Sequence, residues 1–180
     1  GWDVHIVTNR INNKAWSLFP KLAKGSGARE RLHQIWPIQP RWLVPFLMIP
    51  ALVYCLFSAP STTLRYLRFG WTRFGVGVFK HFYLDVPLIR LSPDILHFEF
   101  GTLAVNKSYL KELFGCKFAV SFRGYDLNFV GLSDHQYFGN LWNAVDGCHL
   151  LSVHLWERAV ERGCPPHVFH RLIPPAVNLA

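Results

Sequence analysis

The chain has 180 residues and a formal net charge of +8, with 51% apolar and 17% charged residues. This length suits one domain with a buried core and is too short for two full domains, while the composition excludes a disordered, collagen-like or coiled-coil chain. Twelve Lys and Arg stand against three Asp and Glu in residues 1–93, whereas residues 94–180 carry seven against eight. A basic excess favours an anionic partner: a nucleic acid, a membrane surface or a phosphorylated ligand.

Two short strands are predicted near the start of the chain. One is the β-branched run at residues 4–8, and the other lies within residues 31–38 and ends at Pro37. A basic loop that contains Gly and Ser, residues 21–29, lies between them.

An uncharged apolar run follows at residues 43–57, interrupted by Pro45 and Pro50. Because a membrane-spanning helix needs about 20 residues, this run is too short and too kinked to cross a bilayer. Packing of the run on the sheet and contact of the run with lipid both stay open.

Residues 64–84 interleave cations with aromatic and apolar side chains. This pattern is typical of a helix that lies on an anionic membrane interface, and ordinary packing is the alternative. Nucleic-acid binding is disfavoured because no sequence signature of a nucleic-acid-binding fold accompanies the cations. The predicted membrane-contacting residues are Arg65, Arg68, Trp71, Arg73 and Lys80.

Strand and helix patterns alternate in the second half of the chain. Strands are predicted over residues 95–100, 117–122, 148–153 and 168–173. Helices are predicted over residues 102–114, 133–144 and 154–162. Gly115 and Gly163 stand where a helix C-terminal glycine is expected, and Ser133 with Gln136 forms a capping box. Continuously apolar strands in this alternation predict an α/β fold: a Rossmann-like parallel sheet with helices on both faces.

Ligands of an open parallel sheet bind at the carboxyl ends of its strands. Arg123 follows one predicted strand and matches a phosphate or carboxylate, or pairs with Asp126. His97 and Glu99 are two apart on a strand and point to the same side, where they act on a proton or a metal unless a core hydrogen bond satisfies the histidine. Arg123, His97 and Glu99 are the catalytic candidates, and the binding candidates are Gly101, Gly124, Tyr125, Asp126 and Ser152.

Metal, cofactor and hydrolase chemistry are not predicted. Cys164, His167 and His170 run from a helix end into a strand without a second cluster of ligands, and no G-x-S-x-G motif is present. The four cysteines form no C-x-x-C pair, which favours a reducing compartment over a disulfide framework.

Five motifs in the second half resemble, in order and spacing, the N-terminal domain of family 4 glycosyltransferases of the GT-B fold. They are PDILHFEFG at 93–101, VSFRGYD at 120–126, CHLLS at 148–152, GCPP at 163–166 and IPPAVN at 173–178. The resemblance extends over residues 93–179, and residues 1–8 are loosely similar to the second strand of the family. Glu99 and Arg123 stand where the family frequently has histidines.

The resemblance implies transfer of a sugar from a nucleotide-sugar donor to a glycan or lipid-linked acceptor, with retention of configuration and without a bound metal or cofactor. It implies that residues 1–180 are the acceptor-side domain of a cytoplasmic enzyme. Residues 41–90 would then be a variable helical region that touches the inner face of the cytoplasmic membrane, and residues 174–180 the start of an interdomain linker.

On the same expectation, the first strand of the family precedes residue 1 and a C-terminal donor domain follows residue 180. The 180 residues alone would then not turn over substrate. Arg123 would neutralise the phosphate charge that develops as the nucleoside diphosphate leaves. Two alternatives are a non-catalytic Rossmann-like module that binds a membrane or a partner subunit, and a GT-B sugar-nucleotide epimerase.

Overall fold

The computed structural model describes residues 1–9, 27, 30–35, 40 and 42–175. The chain divides into two compact units, Gly1–Ser92 and Pro93–Ala180. Both units combine helices with parallel strands, which confirms the predicted α/β class. Most of the predicted basic loop at 21–29 and most of the predicted linker at 174–180 lie outside the described residues, and one domain over residues 1–180 stays a prediction.

The first unit contains a two-stranded parallel sheet and three mutually packed helices. Its elements are β1 (Ile6–Thr8), β2 (Leu32–Gln34), α1 (Val44–Ser58), α2 (Pro60–Phe74), a 3-10 turn (Gly75–Gly77) and α3 (Val78–Leu91). The uncharged run forms the single helix α1, which contains Pro50 in its interior. In the described parts of the chain, no helix is both long enough and apolar enough to cross a membrane.

Helices α2 and α3 pack closely through small and aromatic side chains. The Tyr66 hydroxyl donates a hydrogen bond of 2.8 Å to the buried Asp85 carboxylate, and the Tyr66 ring meets the Phe82 ring edge-on. A Cβ at Gly70 would lie 2.4 Å from Cγ2 of Val78, so this glycine permits the close approach of the two helices. Because α2 uses the Tyr66 and Gly70 face for packing, its opposite face lies at the surface.

The second unit is built on a four-stranded parallel sheet in the order β3-β4-β5-β6. Its elements are β3 (Ile95–Phe98), α4 (Gly101–Ala104), α5 (Tyr109–Phe114), β4 (Lys117–Phe122), α6 (Gly124–Phe129), α7 (Gly139–Ala144), β5 (Gly147–Leu150), α8 (Val153–Glu161) and β6 (Phe169–Leu172). Right-handed connections, which are the rule between parallel neighbouring strands, would place the connecting helices on one face of the sheet. Helix cover on the other face stays a prediction.

The strands of this sheet alternate in character, although the sequence predicts continuously apolar ones. Phe118, Val120 and Phe122 are fully buried on one face of β4, where the Phe122 ring packs against Trp142 at 4.8 Å between centroids. The opposite face carries polar side chains, including Ser121 of β4. One face therefore forms the hydrophobic core, and the other carries polar groups.

Two predicted helices differ from those in the structure. The helix predicted over 102–114 is interrupted by a turn between α4 and α5, where Val105, Asn106 and Ser108 all have modest helix propensity. The helix predicted to begin near Ser133 begins at Gly139, because the Asp134 carboxylate accepts the N–H of Gln136 and closes a turn instead.

The predicted helix stops are confirmed at both glycines. Gly115 has a φ of +66° directly after α5, and Gly163 has a φ of +89° after α8. Residues other than glycine rarely adopt this left-handed backbone conformation, so glycine is the residue expected at both positions.

Candidate functional site

The carboxyl ends of β3 and β4 bring Glu99 and Arg123 together. Nη2 of Arg123 lies 2.9 Å from Oε2 of Glu99, and the two side chains are 32% and 59% exposed. The open alternative, a side-chain pair between Arg123 and Asp126, is not the contact found. A salt bridge this exposed contributes little to stability but leaves both groups accessible to a ligand.

Asp126 is fully buried beneath this pair. Its carboxylate accepts the backbone N–H of Arg123 at 3.0 Å and that of Thr102 at 3.1 Å. It therefore joins the start of α6 to the start of α4. The structure gives Asp126 a positioning role, and its contact with a ligand stays a prediction.

His97 points to the same side of β3 as Glu99, as predicted. Its Nδ1 lies 3.8 Å from Oε1 of Glu99, while its Nε2 lies 2.8 Å from the Ser121 hydroxyl. The hydrogen bond within the fold, one of the two interpretations left open by the sequence, is therefore present at Nε2, and joint action of His97 and Glu99 on a proton or a metal stays a prediction.

The hydrogen bonds continue from Ser121 across the sheet. Ser121 Oγ lies 3.0 Å from Nδ1 of His149, whose Nε2 lies 3.1 Å from the carbonyl oxygen of Ile173. Because a carbonyl only accepts, Nε2 of His149 carries its proton, and Nδ1 accepts from the Ser121 hydroxyl. Ser121 then accepts from Nε2–H of His97.

These partners leave Nδ1 of neutral His97 as an acceptor that faces Glu99. A proton added at this nitrogen points toward the carboxylate and disturbs none of the other hydrogen bonds. Ser121 is fully buried, so it orients the two rings and is not placed as a nucleophile. The sheet edge thus combines a permanent cation, a carboxylate and a histidine whose Nδ1 faces that carboxylate.

The two candidate glycines have different surroundings. A Cβ at Gly101 would lie 2.4 Å from Cε1 of Phe122, whereas a Cβ at Gly124 would find only Asn128 Nδ2, at 3.8 Å. Gly101 is therefore explained by packing against the core. Gly124 has open space around it, beside Arg123 at the carboxyl end of β4.

Gly101→Ala is expected to lower the free energy of unfolding by about 1–3 kcal/mol through overpacking against Phe122. Gly124→Ala is the matched control and should change it by less than about 1 kcal/mol, with a stabilising sign expected. Urea unfolding of both variants checks the pair. Equal stabilities would contradict the packing role of Gly101.

The two remaining binding candidates, Tyr125 and Ser152, also have different surroundings. Tyr125 is 65% exposed and stacks on Phe129 of the same helix at 6.0 Å between centroids. Ser152 is the N-cap of α8, where its hydroxyl accepts the N–H of Leu155. Tyr125 therefore exposes its ring to solvent close to Arg123, whereas the Ser152 side chain caps a helix.

Three residues of this region were not singled out from the sequence. A polar residue inside an otherwise apolar strand is a sequence signal that could have identified Ser121 and His149. Arg162 offered no signal. Its guanidinium donates to the carbonyls of Leu127, Val130 and Gly131 at 3.1, 2.7 and 2.8 Å, and so holds the C-terminal end of α6.

The predicted membrane-contacting side chains lie on the surface of the first unit. Arg65, Arg68 and Arg73 are exposed on α2, as is Lys80 on α3. Trp71 is 57% exposed. The structure thus places all five at the surface, in a stretch without Asp or Glu from residue 60 to residue 84.

Within the described ranges, the structure contains no candidate metal site and no exposed thiol. No group of three or more His, Cys, Asp or Glu there is arranged to hold a metal ion. Cys55, Cys116, Cys148 and Cys164 are buried free thiols. A hydrogen bond with Cys164 and burial raise the pKa of Cys148, which keeps this thiol protonated at neutral pH.

Comparison of the chain with protein-family models, with curated proteins and with solved structures finds no match.

Proposed function

We propose that this chain is the acceptor-side part of a retaining GT-B glycosyltransferase. The observation that carries the proposal is the exposed pair of Arg123 and Glu99 beside His97 at the carboxyl edge of a parallel sheet. The five ordered motifs support it, because they supply these residues and the turns around them. A nucleotide-sugar donor and a donor-side domain elsewhere in the parent protein belong to the same proposal.

Each exposed group has a task in sugar transfer. Arg123 neutralises phosphate charge as the nucleoside diphosphate leaves, which is the dominant electrostatic demand of the reaction. Glu99 accepts hydrogen bonds from sugar hydroxyls. His97 exchanges a proton with the acceptor through Nδ1. The exposed ring of Tyr125 offers a flat apolar face to a sugar.

The test is incubation of the parent protein with radiolabelled nucleotide sugars and a membrane extract as the source of acceptor. Label transferred to a glycan or lipid supports the glycosyltransferase. Conversion of the donor sugar without an acceptor would favour the epimerase, and binding without turnover would favour the non-catalytic module.

We also propose that the first unit lies on an anionic membrane surface. Its cations on α2 are interspersed with exposed apolar side chains, among them Leu64 at 60% and Trp71 at 57% exposure. Helix α1 adds an exposed apolar stripe, with Phe46 at 70% and Ile49 at 66% exposure. Cations with apolar side chains are the combination that anionic lipid interfaces bind.

Replacement of Arg65, Arg68 and Arg73 by Glu is expected to weaken binding to phosphatidylserine-containing vesicles by about a hundredfold, since each cation contributes roughly 1 kcal/mol at such a surface. Vesicle sedimentation at low and high salt measures it, and salt should weaken the parental binding. The control exchanges Lys117, Arg158 and Arg171 for Glu, which changes the net charge equally in the second unit. Equal losses in both variants would remove α2 as the contact.

A further inference from the structure

The first unit contains a pocket of ≈ 530 Å³ between β2, α1 and α3. Its apolar lining includes Pro50 and Val86, and its other lining residues include His33, Gln34, Tyr54 and Arg90. No Asp or Glu belongs to the described lining. The charge of the pocket therefore suits an anion and opposes a cation.

Arg90 is held in place by an aromatic ring. Its Cζ lies 4.6 Å from the centroid of Tyr54, which also lines the pocket. A guanidinium stacked on a ring keeps its in-plane N–H donors free for a planar or tetrahedral oxyanion. Among the described residues no carboxylate pairs with Arg90, so this cation has no internal counter-charge.

His33 is the second group that can respond to an anion. Asp3 lies 3.2 Å from Nε2 of His5, whose Nδ1 lies 2.9 Å from Nε2 of His33. Because Asp3 only accepts, His5 donates to it and accepts from Nε2–H of His33, which leaves Nδ1 of His33 as the nitrogen without a bond in the described structure. A proton added there leaves the series of hydrogen bonds unchanged.

The charges around His33 disfavour that proton while the pocket holds no anion. Burial, His5 and Arg90 lower the pKa of His33 from its usual value. Arg31, paired with Asp3 at 3.3 Å, adds a further cation on the strand side, and α1 contributes only the neutral Tyr54. A bound anion would favour the protonated form of His33 and so raise its pKa.

We propose that the pocket binds a phosphoryl group through Arg90 and Gln34, with His33 taking up a proton when the anion enters. The two donors come from different elements, Gln34 from β2 and Arg90 from α3, and donors from separate elements suit a tetrahedral anion better than a flat one. The volume exceeds that of phosphate alone, and the apolar lining accommodates the organic part of an ester. This site lies in the first unit and does not depend on the proposed sugar transfer.

Titration of the chain with sodium sulfate and with inorganic pyrophosphate, followed through the NMR signals of the histidine rings, tests the site. Sulfate is included because it does not titrate near neutral pH. Saturable shifts and a raised pKa of His33 are expected, with sulfate affinity falling as pH rises through that pKa. Arg90→Gln should weaken binding at least about tenfold, and Lys117→Gln, at an exposed cation of the second unit, should leave it unchanged.

Two further arms distinguish a soluble ligand from a lipid headgroup. Vesicles of phosphatidic acid in phosphatidylcholine are compared with phosphatidylcholine alone, with and without pyrophosphate as competitor. Binding that requires Arg90 and is displaced by pyrophosphate identifies a lipid phosphate, whereas Arg90-dependent binding of pyrophosphate without such vesicle binding identifies a soluble phosphate. Equal affinities of the parent and Arg90→Gln for pyrophosphate, or shifts that never saturate, would overturn the proposal. Circular dichroism verifies that the variant is folded.

Discussion

Arg162→Met is expected to lower the free energy of unfolding by about 3 kcal/mol, although Arg162 lies outside the core. Its guanidinium donates to four carbonyls of α6 and the following turn, those of Asp126, Leu127, Val130 and Gly131. It also lies over the Phe138 ring, with Cζ 4.7 Å from the centroid. Methionine keeps the apolar stem and removes every donor, so the carbonyls at a helix end lose their partners.

Arg158→Met is the matched control on the same helix. Arg158 makes an exposed salt bridge with Glu161 at 2.9 Å, and its loss should change stability by less than about 1 kcal/mol. Urea unfolding followed by circular dichroism compares the two variants. If Arg162→Met unfolds at the same urea concentration as Arg158→Met, the carbonyls of α6 are satisfied without Arg162.

This stability prediction bears on the candidate site because α6 begins directly after Arg123 and carries Tyr125. Asp126 fixes the beginning of the helix through two backbone N–H groups, and Arg162 fixes its end. A six-residue helix has little stability of its own. The exposed ring of Tyr125 is therefore held in position by two buried or half-buried charged side chains.

The sequence predicted the parallel sheet of the second unit because its strands are short, apolar and separated by clear helix signals. It placed β4 at its observed bounds and the bounds of the other three strands within three residues. It did not predict the polar row formed by His97, Ser121 and His149. These residues are 24 and 28 positions apart, so only the strand register brings them together.

The local sequence signal was misleading where a helix cap and a turn compete for the same segment. Ser133 and Gln136 fit a capping box, but Asp134 accepts the N–H of Gln136 and uses the donor in a turn. Side chains of this kind offer the backbone an alternative to helix at nearly equal energy. The pair of Arg123 with Glu99 shows a related limit. Asp126, nearby along the chain, was the only ion-pair partner that the sequence suggested for Arg123, whereas the sheet places Glu99 against the guanidinium.

Arg123→Ala is expected to lower sugar transfer by the parent protein at least tenfold if Arg123 neutralises phosphate charge in the transition state. Folding should be little affected, because the Arg123 side chain is 32% exposed and pairs with an exposed carboxylate. Lys117→Ala is the control, since Lys117 lies at the opposite end of β4 and is 74% exposed. Rates near the parental value for Arg123→Ala would remove this residue from the site.

Arg123→His then separates charge from geometry, because it introduces the histidine that family 4 glycosyltransferases frequently have in the motif that VSFRGYD resembles. An unperturbed histidine loses its charge near pH 6.5, whereas arginine stays cationic throughout. If the cation is what matters, transfer by this variant should fall as pH rises through neutrality, while the parent protein shows no such loss from position 123. An Arg123→His profile that runs parallel to the parental profile would show that position 123 contributes by shape or hydrogen bonding rather than by charge.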